Sequence, residues 1–449
     1  MRKIISEIST ASWCRVIAVI VLLLSVKKIL LAVVHWENMK GWEAYFVAKA
    51  LVNGEGYSFP SKSRWLFESV ADGMYHPTSW VDPLYTFCLA GMIWLFGEYH
   101  QLAAAIFNLV FYVAVFVLVY YLAERLLSSK WAVFTILLLA GSGFSSIASQ
   151  MNNTHLAACL VVLSAVMLVN YFERPDLRRA TLLGLVLGIT VLGFPGAQLF
   201  IPATVISVIF WGRQNYKAAT IHALSVLVVA AAILVPWVVR NYIVFDEFVS
   251  VRNGVGQLAF VGVVASAATV MPEKIASNVK PEWEAETPRG AIFSIYNDYG
   301  KRRALERFPM EYAKEVGPTQ WNEMNEPRRD KWFFGEAKKF ILANPSVSMQ
   351  FAVAKMEVFA RAMGWYGVGI LLLAIIGVLV TLKNRVVTTF GLWAVSYTGP
   401  FFIIICYFGR YRAPIEPLLT LLATYAIYWL YNKSNLRISY ISRGQVENT

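Results

Sequence analysis

The chain has 449 residues, of which 57% are hydrophobic and only 15% charged, with a mean hydropathy of +0.53. Soluble domains carry about 25% charged residues, so the composition excludes a water-soluble globular protein and describes an integral membrane protein. The net charge of +12 points to a basic cytoplasmic rim and to contacts with anionic membrane lipids, not to nucleic acid.

The apolar segments come in helix-length blocks and not as alternating ten-residue strands. The expected fold is therefore an all-α polytopic membrane protein with about ten transmembrane helices, juxtamembrane or re-entrant helices and an α-rich outer loop. Cys14, Cys88, Cys159 and Cys406 all fall in apolar segments without a CxxC or Cys/His cluster, which supports neither a disulfide framework nor a zinc site.

In chain order, the basic start MRKIISEIST leads into an apolar run from Trp13 to Val34. Its length, the lack of a small-residue cleavage site and the pair Lys27-Lys28 favour a retained first span over a signal peptide. The two lysines lie about two turns from the outer end. Both snorkelling and a contact to a lipid phosphate are open to them.

Residues 35–83 are too polar to cross a bilayer and hold Glu37, Glu43, Glu68, Asp72 and Asp82 among Trp36, Trp42, Trp65 and Trp80. Trp42, Tyr45, Phe46, Lys49 and Val52 recur at helical spacing, and Asn53-Gly54 ends that helix. The next apolar run, Pro83 to Gly97, is shorter than the roughly 20 residues a span needs, which predicts a re-entrant helix on the outer side. Spans follow at Leu102 to Leu122, Trp131 to Ser149 and His155 to Tyr171. A hairpin then joins Ala180–Phe194 to Gln198–Trp211, with Pro195 and Gly196 at its turn. The remaining spans are Ala218–Val239, Gly364–Leu382, Val386–Phe408 and Pro414–Tyr431. With both termini inside, the short basic clusters fall on one side, as the positive-inside rule requires. Three parts result: a membrane module over 1–239 with its first outer loop, an outer loop region over 240–363, and a second membrane module over 364–449. In the long loop, Asp330–Ala343 and Ser346–Met363 read as amphipathic interfacial helices broken at Asn344-Pro345. The charged run from Glu323 to Lys331 reads as a solvated face, and the sequon Asn152-Asn153-Thr154 as a chance match against a span.

Glu43 stands in the first turn of its helix, where a carboxylate complements exposed N–H groups. It is either a helix-start acid or a general base whose proton affinity is raised between aromatics and lipid. Glu37 is the second candidate. Arg240, after Pro236-Trp237, and Arg410 and Arg412 sit at outer span ends. They are interfacial anchors or partners of a lipid-linked phosphate, whose oxygens match the guanidinium fork. Glu416, one turn past Arg412, is placed to pair with it and orient it. The sequence holds no Walker loop, dinucleotide fingerprint or Ser/His/Asp arrangement, and no acid pair with metal-ligand spacing.

Four stretches carry a family resemblance. They are GWEAYFVAKALVNGEGYSFP with PTSWVDPLY, then PWVVRNYIVFDEFVSVRNGVG (Pro236 to Gly256), FGEAKKFILANPSVSMQFAVAK (Phe334 to Lys355) and GRYRAPIEPLLTLLA (Gly409 to Ala423). In that order they resemble the GT-C-fold membrane glycosyltransferases of the family-39-like set, related to protein mannosyltransferases and the lipid A aminoarabinose transferase. The resemblance implies transfer of a sugar from a polyprenyl-phosphate donor to a lipid, glycan or protein acceptor on the outer face. It implies an acidic base in the first outer loop, where Glu43 occupies the matching position, and by default a bacterial inner membrane. Arg240, Arg410, Arg412, Lys27 and Lys28 would then meet the donor phosphate. Trp42, Tyr45, Tyr57, His76, Trp80 and Asp82 would meet the sugar or acceptor. No cofactor is required by such chemistry; a divalent metal is compatible with it but has no support in the sequence. Where relatives read G-P-T-A-W, this chain reads His76-Pro77-Thr78-Ser79-Trp80. A lipid or solute transporter and an O-antigen ligase or polymerase using a diphosphate-linked glycan are the alternative readings.

Overall fold

The computed structural model describes residues 2–41, 43–60, 74–142, 144, 150–275, 278–362, 366–404 and 409–446, with the side chains of 2–11, 28, 40, 150, 404, 409, 410 and 434–446 excepted. Nearly all of it is helical. The first apolar run forms α1 (Arg2–Ser25) and α2 (Lys27–Val34), separated at Val26. In the first outer loop lies α3 (Glu43–Val52). It stops where Gly54 takes φ +83°, a left-handed conformation that glycine adopts without steric cost.

The short run after the loop is α4 (Pro83–Phe96), with Pro83 at its first position, where the missing N–H costs nothing. Gly97, at φ +51°, then reverses the chain into α5 (His100–Leu126). The rings of Tyr85 and Phe107 lie 6.0 Å apart, whereas a continuous helix would hold them about 33 Å apart. This segment therefore doubles back at Gly97.

The bundle continues with α6 (Ser129–Gly141), α7 (Thr154–Glu173), α8 (Leu177–Gly193), α9 (Phe200–Trp211) and α10 (Tyr216–Phe245). Helix α7 is buried on almost every side and forms the centre. Helices α8 and α10 touch backbone to backbone: a Cβ on Gly184 would stand 2.7 Å from the Val226 carbonyl oxygen. Small residues at such crossings are what lets membrane helices approach closely. Among the described residues, 83–126, 154–173, 213–245 and 385–403 are long and apolar enough to cross a membrane, and shorter apolar helices lie at 12–25, 129–141, 195–211, 255–268 and 367–380.

Two two-stranded ribbons tie down the first outer loop. β1 (Lys40–Gly41) runs parallel to β4 (Gln150–Met151). β2 (Ser58–Pro60) runs antiparallel to β3 (Tyr75–Pro77), with Phe59 opposite His76.

The long loop departs from expectation at its start. VGQLAFVGVVASAA is a buried helix, α11 (Val255–Phe260), that passes through a π-turn into α12 (Ser266–Ala268). It is too short for a span, and its polar flanks hid it. The loop then forms α13 (Pro288–Asn297), α14 (Tyr299–Val316), α15 (Glu326–Ala343) and α16 (Pro345–Arg361). The Asn344-Pro345 break falls where the sequence puts it. Phe260 packs with Tyr312 and Phe333 at 5.0 Å in a core that α11 shares with α14 and α15. Arg289 on α13 grips Glu357 on α16 with two bonds of 2.7 and 2.8 Å. That contact, with Arg361, lowers the Glu357 pKa to about 2.

The contact between α11 and α15 is tight enough to test. A Cβ on Gly256 would stand 1.9 Å from the Asp330 carbonyl oxygen. Gly256→Ala is therefore expected to cost about 1–3 kcal/mol through overpacking, read as a lower unfolding temperature in detergent. Gly335→Ala on α15, with nothing within 4 Å of its Cβ, is the control and is expected to leave that temperature unchanged or raised.

The C-terminal helices are α17 (Gly367–Val380), α18 (Arg385–Ile404), α19 (Gly409–Arg412) and α20 (Glu416–Val446). Helix α18 passes beside α7, α9 and α11, so segments distant in sequence meet around one point.

Candidate active site

That meeting point is a cavity of about 160 Å³. Its walls come from the start of α3, the start of α4, the residues before α7, the turn after α8, residues 252–258, and α18 with the segment after α19. Pairing of β1 with β4 brings Glu43, just past the first strand, beside Asn152 and Asn153, just past the other.

Glu43 is the first residue of α3 and is half-buried, its charge set on the helix N-terminus. The Trp80 indole N–H donates to its Oε2 at 3.1 Å. Asp82 is buried at the head of α4. It accepts a bond from the Asn153 amide, which also donates to the Gly193 carbonyl at 3.0 Å. Arg252 Nη1 lies 3.5 Å from Asp82 Oδ1. The Arg252 guanidinium also sits over the Trp80 ring, 5.6 Å from its centroid. One cavity thus carries two carboxylates, a guanidinium and an amide beside the aromatic rings of Tyr85, Phe194, Tyr397, Phe401 and Tyr411. Such a wall offers a proton acceptor, a cation for a developing anion and flat apolar faces for a ring.

Behind the cavity, Trp80 packs against Gly254, which holds φ +96°; a Cβ there would be 2.6 Å from the indole. Glu326, the first residue of α15, is 5% exposed. Its carboxylate accepts bonds from Asn253 Nδ2 (2.6 Å), Thr78 Oγ1 (2.8 Å) and the Ser79 N–H (2.9 Å). Burial raises the Glu326 pKa against the lowering by these bonds.

Of the residues singled out in the sequence, Glu43 and Asp82 line the cavity and Trp80 stands behind them. Tyr57 is buried, its hydroxyl donating to the Val81 carbonyl at 3.0 Å. The Arg240 guanidinium is occupied elsewhere: it donates to the carbonyls of Thr78 (2.9 Å) and Tyr57 (3.0 Å) and so fastens the first outer loop to α10. Tyr45 stacks on His100 at 5.5 Å. His76 sits in β3, where burial and the Arg329 cation lower its pKa. Glu37 is exposed on a single turn at Trp36–Asn38. Lys27 lies on a separate groove with Leu23, Leu24, Leu30, Leu31 and Val34. Arg412 and Glu416 do form the expected pair, Nε to Oε2 at 2.8 Å, fully buried behind Tyr411 and Pro414 of the cavity wall. Trp42 and the side chains of Lys28 and Arg410 lie outside the described residues. Among the described residues, no three His, Cys, Asp or Glu side chains are grouped as a metal would need.

One expectation is corrected. The run from Glu323 to Lys331 is not a uniformly solvated face: Glu323, Arg328 and Lys331 are exposed, but Glu326 and Arg329 are buried. The Asn152-Asn153-Thr154 sequon has Asn152 and Thr154 buried, in keeping with a chance match, and Asn152 and Asn153 form part of the cavity wall. Arg252 was missed although it stands in the same run as Arg240. A second arginine beyond an outer span end was the available signal.

The family description for dolichyl-phosphate-mannose-protein mannosyltransferases matches residues 76–239, from the end of the first outer loop through most of α10. Solved structures of the archaeal oligosaccharyltransferase AglB from Archaeoglobus fulgidus are similar along almost the whole chain. The complex with an inhibitory peptide and a dolichol-phosphate gives a TM-score of 0.51 at 12% identity, over 96% of this chain and 52% of that one. The apo form of the Archaeoglobus fulgidus oligosaccharyltransferase gives 0.53 at 12% identity, over the same shares. The chain has the GT-C fold. The chain spans about half the length of the solved oligosaccharyltransferases whose fold it shares. The comparison with curated proteins gives no match.

Proposed function

We propose that this GT-C protein transfers a glycosyl group from a polyprenyl-phosphate-linked donor to a hydroxyl of a lipid, glycan or protein acceptor. The observation that carries the reading is the convergence of Glu43, Asp82 and Arg252, from three distant segments, on one cavity. Glu43 accepts the proton of the acceptor hydroxyl as that oxygen attacks the anomeric carbon, with inversion. The C–O bond to the carrier breaks, and polyprenyl phosphate leaves as a stable anion that needs no general acid. Among the described residues, Arg252 is the cation facing the cavity, and it stabilises that charge. Asp82 and Asn153 hold Arg252 at the wall. The first outer loop and the cavity belong to the outer face, with both termini cytoplasmic, in a bacterial inner membrane.

The test is release of free polyprenyl phosphate by the purified protein, using a panel of polyprenyl-phosphate and polyprenyl-diphosphate sugars with candidate acceptors. Release from a monophosphate-linked donor that depends on acceptor supports the reading. Release from diphosphate donors alone would move it to a ligase or polymerase. No release from any donor, with movement of a lipid or solute across proteoliposomes, would replace it with transport.

A further inference from the structure

Glu326 lies in a loop region 247 residues from Ser79, outside the cavity, yet it holds both of the cavity's charged walls. Its carboxylate binds the 78–79 segment through the Thr78 hydroxyl and the Ser79 N–H, with Ser79 Oγ at 3.4 Å. The same Oε1 accepts from Asn253 Nδ2 at 2.6 Å. The Asn253 N–H in turn donates to the Ser79 carbonyl at 3.1 Å, closing a ring of bonds among three chain segments. Each tied segment carries a neighbour that touches the cavity's acids. Trp80 follows Ser79 and donates to Glu43; Arg252 precedes Asn253 and pairs with Asp82. A buried carboxylate is costly to place unless each of its bonds is made, and the Arg240 and Arg329 charges also act on it. Helix α15 therefore fixes the ring as a unit.

We infer that Glu326 is a positioning residue for the candidate acids: through Trp80 it orients Glu43, and through Asn253 and Arg252 it sets Asp82. This rests on the transferase reading. In Glu326→Gln the side chain keeps its size, but its amide turns a donor toward groups that also donate. The 78–80 and 252–254 segments then separate, and the indole N–H leaves Glu43. Among the described residues, the charged groups that line the cavity with Glu43 are Asp82 and Arg252, and neither is removed by the substitution.

The experiment compares wild type with Glu326→Gln, Thr78→Val and Trp80→Phe by two readouts. The first is amide hydrogen exchange over 78–82 and 250–256, which needs no turnover. Faster exchange in both segments is expected for Glu326→Gln, and a smaller increase for Thr78→Val. The second is the pH dependence of polyprenyl phosphate release. A drop in kcat of about 10- to 100-fold is expected with little change in donor KM. The acid limb of kcat/KM should also move up by roughly half a pH unit, because a hydrogen bond to the charged form of Glu43 is lost. Trp80→Phe should shift that limb equally, and adding Glu326→Gln to it should change nothing more. A merely structural role lowers activity at every pH and leaves the limb in place, and that result overturns the inference. Unchanged exchange in either segment also overturns it. Wild type inactive on every donor would count against the transferase reading alone, and the exchange comparison would then decide the coupling.

Discussion

Glu43→Gln is expected to lower kcat for sugar transfer by about 10²- to 10⁴-fold while leaving donor binding nearly intact. The geometry makes this substitution informative. Glu43 caps the start of α3 and accepts the Trp80 indole N–H at 3.1 Å. A glutamine side-chain oxygen can accept the same bond, so α3 and the ribbon before it keep their places. What is lost is the ability to take a proton. If Glu43 is the base, single-turnover release of polyprenyl phosphate slows by the full factor, and the dissociation constant of the donor stays within a small multiple of the wild-type value. Asp82→Asn should behave differently. It removes the charge beside Arg252, so the freed guanidinium changes donor KM as well as kcat. Equal turnover by wild type and Glu43→Gln would end the base assignment and pass the role to Asp82, the other carboxylate lining the cavity.

Several parts of this molecule can be read from sequence for definable reasons. Composition alone separates a membrane protein from a soluble one, because apolar residues have nowhere else to go. The reversal at Gly97 falls where the apolar run breaks off at a glycine. The end of α3 at Gly54 and the break at Asn344-Pro345 follow from local backbone chemistry. Glu43 is legible because an acid in the first turn of an aromatic helix has a local rationale. The partners that make it a site are not local. Trp80 lies 37 residues away, and the bond from Ser79 to Glu326 spans 247. Nothing in EPRRD distinguishes a buried glutamate from the solvated ones beside it, because burial is decided by what packs on top.

Arg240 shows the same limit from the other side. An arginine expected at an outer span end runs against the positive-inside bias, which is what points to a phosphate. In the folded chain the carbonyls of Thr78 and Tyr57 accept its donors instead. The rings of Tyr57, Trp237 and Phe245 also surround it, 5.1–5.6 Å away. Both outcomes satisfy the same guanidinium, and only the three-dimensional path of the loop selects between them.

The second large effect is expected at the buried pair behind the cavity. Arg412 and Glu416 are joined at 2.8 Å with side-chain exposures of 2% and 0%, one turn apart where α19 gives way to α20. Removing one partner strands a charge where water cannot reach it. Arg412→Met alone, or Glu416→Leu alone, is therefore expected to destabilise the protein by about 3–5 kcal/mol, read as loss of folded protein on heating in detergent. The double substitution Arg412→Met with Glu416→Leu removes both charges together, and it is expected to recover most of that loss, since apolar pairs of similar volume replace buried ion pairs at little cost. The double variant also separates two roles for Arg412. Tyr411 and Pro414 line the cavity, and the Tyr397 hydroxyl donates to the Tyr411 carbonyl, so a folded double variant keeps the wall. If the pair only braces that wall, the double variant transfers sugar at a rate near wild type. If Arg412 also meets the donor phosphate, the double variant is stable but has a raised donor KM. Single substitutions as stable as wild type would show that the pair is solvated in the membrane-embedded protein, and would remove the bracing role.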